Sequence, residues 1–462
     1  MARRSAATGR PTVETAAGSL SGVRDPGGVT FRGIPYARAE RFAPPAPAEP
    51  WTGVREAAQT GLAAPQPDRP VARFTHGPMP LTGEDCLNLN VYAPSLEGDR
   101  PVMVWLHGGG FVMGHAGASL YHGARLAAVG DIVVVTVNYR LGSLGWLCHR
   151  ALGGGNWGLR DQIAALEWVR ENIASFGGDP GRVTVAGQSA GALCAVDLLA
   201  APSARGLFAR AIVQSPPLGD AIQPADVAER WADALAHPPG LRSLAPERIV
   251  ARHEELLEHP QWRGTRGGAL PTLDPGSLPV SPLDEPGVSP EVDVLIGHTA
   301  DEGTFFFDAP WRPAPPAPRV PDIVAHLCPG QDPHEVLDRY YERSGERSDD
   351  VALLVAIATD AIVVTPTTRW AIARAAAGAR VYRYRVDHPG AGPQLRATHT
   401  TEVPLLFGTW DDGGPGERLG GMAPGAERVA AELVPAWVEF VRSGSPGWEG
   451  DPGVFGGTLT NA

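Results

Sequence analysis

The chain has 462 residues, a formal net charge of −12, and 43 % hydrophobic against 19 % charged residues. That balance specifies a globular protein with a sizeable core; the acidic charge, with no basic stripe, excludes nucleic acid as a partner. Arginine supplies every basic side chain other than histidine. The lack of lysine excludes a pyridoxal Schiff base, a Walker loop and a Ser-x-x-Lys acyl enzyme.

The elements follow in chain order. Residues 1–11, basic and polar without an apolar stretch, read as a loose tail rather than a signal peptide. Short strands are expected at Val13–Ala16, Gly18–Val23, Val29–Gly33 and Leu87–Tyr92, with a Pro/Ala-rich loop over Val54–Arg73. From Pro101 the pattern changes. Val102–Leu106 is a buried strand, Ala124–Val129 a short helix and Ile132–Val137 a second buried strand. Leu159–Phe176 is an amphipathic helix with Ile163, Leu166, Val169 and Ile173 at helical spacing. A β-branched run then leads to Gly187–Gly191, followed by a helix over Ala192–Ala201. Leu207–Gln214 and Val292–Gly297 are strand candidates, and Asp220–Val288 between them is an insertion of helices and loops. Asp308–Pro321 is a proline-dense loop. Val351–Ala377 is helical, Val381–Val386 a strand and Ala426–Arg442 a helix; 411–425 and 443–462 are irregular. Strand alternating with helix predicts an α/β fold on a mostly parallel sheet. The expected division is a tail at 1–11 and one domain over 12–462, with a cap-like segment near 216–291.

Cys86, Cys148, Cys194 and Cys328 are widely spaced and form neither a zinc pair nor a dense disulfide framework. They read as buried free thiols. With no uninterrupted run of 18 apolar residues, no membrane span is expected, and the expectation is a cytoplasmic protein.

The chemistry concentrates in three places. Gly187-Gln188-Ser189-Ala190-Gly191 sits between a strand and a helix. In such an elbow the glycines permit a turn too sharp for a Cβ, leaving the serine hydroxyl exposed above the sheet. The chain has 57 glycines, so the pentapeptide alone carries little weight and its context decides. His107-Gly108-Gly109-Gly110-Phe111 follows a buried strand, and its backbone N–H groups can converge on a tetrahedral oxygen. A serine also needs a base and an acid to orient it. Asp301 and Glu302, after the strand Val292–Gly297, are equal candidates for the acid. His399 is a candidate base in a loop, with His388 as its alternative.

The motifs together resemble type-B carboxylesterases, the family of cholinesterases and para-nitrobenzyl esterases. The likeness spans about 12 to 445. It rests on Phe31–Ala37, Glu84–Tyr92, His107–Phe111, Val137–Arg140, Asn156–Gln162, Phe176–Pro180, the elbow, Asp301–Gly303 and the segment from His399 to Gly408. The resemblance implies an α/β-hydrolase fold and cleavage of a small-molecule carboxylic ester through an acyl-enzyme, with no metal or cofactor. It implies Ser189 as nucleophile, Glu302 rather than Asp301 as acid, His399 as base, and the N–H groups of Gly109, Gly110 and Ala190 as the oxyanion hole. It further implies buried ion pairs Arg32–Glu84 and Arg140–Asp161, and a hydroxyl at Ser215 beside the triad. Two departures stand out. Gln188 occupies a position where many members carry Glu. Cys86 matches a cysteine that is often disulfide-bonded, but Ala64 stands at its partner position, which implies a free thiol. The same triad could also serve acyl transfer, lactonisation or cyclisation. A purely binding role is disfavoured, because serine, acid, histidine and glycines are all present.

Overall fold

The computed structural model describes residues 9–456 except 237, 260, 262–266, 313–318, 345–349, 391–393, 422 and 449–451. Most of the expected tail therefore lies outside the described residues, and Thr12 already opens a strand, Thr12–Thr15. That strand joins Gly18–Ser21 and Val54–Glu56 in a small sheet beside the main one.

The main sheet has ten strands among the described residues. In chain order they are β1 Val23–Asp25, β2 Gly28–Pro35, β3 Asn88–Ala93, β4 Arg100–Leu106, β5 Val133–Val137, β6 Gly178–Gln188, β7 Arg210–Gln214, β8 Asp293–Thr299, β9 Val381–Val386 and β10 Gly453–Phe455. Their spatial order is β10-β9-β8-β7-β6-β4-β5-β3-β2-β1. The seven from β10 to β5 are mutually parallel, and β3, β2 and β1 follow in turn, each antiparallel to the strand before it. Strands buried on both faces read as continuous apolar runs, as in Val-Val-Val-Thr-Val of β5, where every residue is buried.

Pleating divides the core into two layers. Val102, Val104, Val133, Val135, Val185, Val213 and Ile296 face the helices Trp157–Asn172 and Ala190–Ala200. Their alternates Met103, Trp105, Val134, Ala186, Ile212 and Leu295 face the helices Ala124–Gly130, Glu402–Phe407 and Ala426–Ser443. The sheet is thus covered on both sides, and the loops after its parallel strands gather at one edge, where open α/β sheets bind ligands.

Several expectations change in detail. The Pro/Ala-rich stretch Val54–Arg73 holds a strand and leads into the helix Pro70–Thr75. The strand foreseen over Leu207–Gln214 begins only at Arg210. The insertion contains the helices Ala225–Leu235, Pro238–Leu241 and Pro246–Glu258. The expected helix over Val351–Ala377 runs Asp350–Ala376 and widens to π geometry over Thr359–Val364. At 27 residues it is long and apolar enough to cross a membrane by length and composition, and 44 % of its most apolar window is buried inside the fold. A buried core helix meets the same criteria.

Arg140 and Asp161 form the expected buried pair, at 2.8 Å (Nε–Oδ2) and 2.7 Å (Nη2–Oδ1). The other expected pair is corrected. Glu84 is gripped by Arg41, with Nε–Oε1 at 2.7 Å. Arg32 instead meets Asp25 at 3.8 Å and His122 at 3.0 Å. The reason is local: Asp25 lies on the neighbouring strand of the β1–β2 hairpin, whereas Glu84 belongs to the loop before β3. All four cysteines are free, but only Cys86 and Cys194 are buried as expected, Cys148 and Cys328 being partly exposed; Ala64 is buried.

Candidate active site

β6 delivers Ser189 at its carboxyl end. The serine adopts φ 57° and ψ −123°, a region costly for a residue with a Cβ. Its own N–H is held by Gln214 O at 2.9 Å, and its carbonyl accepts from Leu193 N at 3.0 Å. Gly191 is required here by close approach, because a Cβ on it would sit 2.0 Å from Leu106 O. The helix Ala190–Ala200 starts at the next residue and directs its positive end at the same point.

β4 delivers the glycine loop. Gly109 has φ +118°, and a Cβ there would lie 2.1 Å from Met113 O. Among the described residues no acceptor meets the N–H groups of Gly109, Gly110 or Ala190. Three hydrogen bonds and a ring stack that the sequence did not reveal brace this loop. Gln66 donates to Gly114 O at 3.0 Å and accepts from Gly114 N at 2.8 Å. The Tyr139 hydroxyl donates to His107 O at 2.6 Å, and its ring stacks on His107 at 4.5 Å. Burial pushes His107 down to about 3, so it stands as a neutral prop.

β8 delivers the acid. Glu302 is fully buried, and its Oε2 meets His399 Nδ1 at 2.5 Å. Its Oε1 accepts from Thr299 N at 2.8 Å. Burial alone would raise this carboxyl; the charge and hydrogen bond of the facing His399, the nearby Ser215 hydroxyl and the Thr299 N–H outweigh it, so its pKa is lowered. Ser215 is thus placed beside the pair, at φ 49°. Asp301 has a different task. Its N–H donates to Ala397 O at 2.9 Å and its carboxylate accepts from Ala397 N at 3.3 Å, tying down the histidine loop. Thr304 adds a second tie, donating to Thr398 Oγ1 at 2.7 Å. His388, the rival base, meets Gly420 O at 3.0 Å, away from Glu302.

His399 Nε2 meets the side-chain amide nitrogen of Gln188 at 3.0 Å. Phe305 and Phe306 stack edgewise and tilted on the imidazole at 5.2 and 5.3 Å. Glu402, three residues on, is buried and pushed up to about 7 by burial and then by the charge of Glu302.

Ser189, His399, Gln188 and Gly108–Gly110 line one cavity of about 460 Å³. Its walls include Val112, Met113, Phe305, Phe306 and Trp311. The aromatic wall went unread in the sequence, although Phe305-Phe306-Phe307 follows Glu302 after only Gly303 and Thr304. Among the described residues no cluster of His, Cys, Asp and Glu could hold a metal ion.

This arrangement can be compared with known proteins. The model of the carboxylesterase family matches residues 9–453. The chain is 35 % identical over 460 residues to phenmedipham hydrolase of Pseudarthrobacter oxydans, covering 95 % of this chain and 91 % of that one. It is 34 % identical over 456 residues to para-nitrobenzyl esterase of Bacillus subtilis, with the same two shares. A solved PNB esterase structure superposes with a TM-score of 0.80 at 32 % identity, over 95 % of this chain and 92 % of that one. The chain belongs to the carboxylesterase family: it is an α/β-hydrolase-fold enzyme that cleaves carboxylic esters.

Proposed function

We propose that Ser189, His399 and Glu302 form the triad of this esterase and that Gly109, Gly110 and Ala190 supply its oxyanion hole. The observation that carries the reading is the 2.5 Å contact of Glu302 with His399, opening onto the cavity that Ser189 lines. Glu302 only accepts, so the Nδ1 proton stays on His399 and the Nε2 lone pair faces the serine side. His399 Nε2 takes the Ser189 proton as Oγ attacks the ester carbonyl carbon. The carbonyl oxygen becomes an oxyanion, and the N–H groups of Gly109, Gly110 and Ala190 turn toward it, backed by the helix Ala190–Ala200. As the tetrahedral centre collapses, His399 hands its proton to the departing alcohol oxygen. A water then repeats the cycle, freeing the acid and restoring Ser189.

The apolar, aromatic walls suit a neutral alkyl or aryl ester. A serine-to-alanine change, Ser189→Ala, removes hydrolysis of a short-chain aryl ester without altering the circular dichroism spectrum. Undiminished turnover refutes the assignment. We also infer a reducing, cytoplasmic setting and a non-membrane role for the apolar helix Asp350–Ala376. The free cysteines support the first and the packing of that helix against the acid-bearing loop supports the second. Protein purified without reductant then titrates four thiols when denatured; two would contradict it.

A further inference from the structure

The contact between Gln188 and His399 is buried on both sides: Gln188 is 2 % exposed and His399 is 2 % exposed. Its hydrogen-bond sense follows from the other end of the ring. Glu302 accepts from Nδ1, so Nδ1 carries the proton and Nε2 presents its lone pair. Only a donor satisfies that lone pair, and the Gln188 amide nitrogen is the donor at 3.0 Å. The amide oxygen is turned the other way, against Gly108, where a Cβ would meet it at 3.0 Å. The side chain is therefore held between the glycine loop and the imidazole.

We propose that Gln188 is a positioning residue that caps Nε2 of the resting site and holds His399 as the neutral, Nδ1-protonated imidazole. The inference rests on the triad reading. A single Nε2 lone pair cannot accept from Gln188 and from Ser189 at once. The amide must yield when the serine proton is taken, and the substrate entering beside Gly108 is what displaces it. A hydrogen bond donated to Nε2 favours the neutral ring over the imidazolium. A carboxylate at 188 would do the reverse.

The other charged and titratable groups around the ring leave this effect readable. Glu302 and Glu402 bear on His399 from the strand β8 side and from its own loop. Asp301 is occupied by Ala397 and by Arg396 at 4.0 Å. His76 and His107 line or brace the far wall; burial leads in pushing both down. Tyr121 and Tyr384 are buried and pushed up, so they are neutral. At the cavity mouth Arg69 is paired with Glu254 at 2.6 Å, and Arg312 is exposed. All of these are common to the wild type and to a variant at 188.

The test is the pH dependence of kcat/KM for a neutral aryl ester in the wild type, Gln188→Glu and Gln188→Leu. The expected result is an acid limb moved to higher pH by about one unit in Q188E, from the opposite charge beside the ring. A smaller upward move is expected in Q188L, which loses the donor at nearly constant volume. If a buried carboxylate prevents Q188E from folding, Q188L carries the test alone. Limbs that superimpose on the wild type in every folded variant overturn the cap, provided a fluorophosphonate still labels wild-type Ser189. Labelling and turnover that persist in S189A overturn the triad reading, and the cap with it.

Discussion

Replacing Glu302 by glutamine is a change of one atom, and the structure says how that atom lands. Thr299 N donates to Oε1 at 2.8 Å, so the oxygen of the new amide is held at that position. The amide nitrogen then takes the place of Oε2, facing His399 Nδ1 at the former 2.5 Å. Two donors cannot face each other. Nδ1 must give up its proton and accept, which moves the ring proton to Nε2. That tautomer meets the Gln188 amide with a second N–H and has no lone pair for Ser189. Loss of the correct tautomer in a serine triad costs about 10⁴ in kcat, or ~5 kcal/mol of barrier. The fold should persist, since a neutral amide is buried in place of a buried charge. The companion variant Asp301→Asn keeps a hydrogen-bonding oxygen near Ala397, on a side chain that is 32 % exposed. It should lose less than about tenfold in kcat, because Asp301 touches the loop and not the ring. Stopped-flow or steady-state hydrolysis of an aryl ester measures both. The reasoning fails if D301N is the more damaging, or if folded E302Q stays within tenfold of the wild type.

Other outcomes follow from the same geometry. Gly109→Ala forces a Cβ to 2.1 Å from Met113 O, shifts the oxyanion donors, and should lower kcat by about 10²–10³ with little change in KM. Gly110→Ala, with nothing within 4 Å of its Cβ, should cost about tenfold or less; equal losses in the two would count against that placement of the donors. Arg140→Met leaves Asp161 as an unpaired buried charge and should destabilise by about 3–5 kcal/mol in urea melts, whereas Arg32→Met, with a 3.8 Å pair, should cost about 1 kcal/mol or less. Glu402 binds its proton more tightly when folded, with a pKa near 7 against the ordinary 4.5, so its protonation stabilises below pH 4.5 and that contribution is lost as pH rises through 7. Glu402→Gln should therefore flatten the fall in stability between pH 5 and 8, by about 3 kcal/mol, and parallel urea-derived curves for the two proteins would refute this.

What the sequence could show depended on how far apart the interacting residues lie. The elbow and the glycine loop are legible because their chemistry is backbone chemistry, written in consecutive glycines beside a strand. The parallel core is legible for a similar reason: β5 is a run of β-branched residues. Choosing Glu302 over Asp301 was not possible from spacing, because the two are adjacent and the turn into the helix Gly303–Phe307 decides which one faces inward. That helix is five residues long, too short to show a period. The pairing of His399 with Glu302 joins positions 97 apart, and that of Gln188 with His399 joins positions 211 apart. Gln188 could be flagged as a departure, but its partner could not be named. Arg32 and Glu84 were matched by motif, and the hairpin neighbour Asp25 together with Arg41 redistributed both charges.

The central claim is that Ser189 carries the acyl group. Rapid acid quenching during turnover of a slow aryl ester, followed by intact-mass and peptide-level mass spectrometry, reads it directly. The account predicts one acyl adduct, on the peptide containing Ser189, and none in the Ser189→Ala protein. An adduct on another residue, or turnover by the Ser189→Ala protein at the wild-type rate, would contradict it.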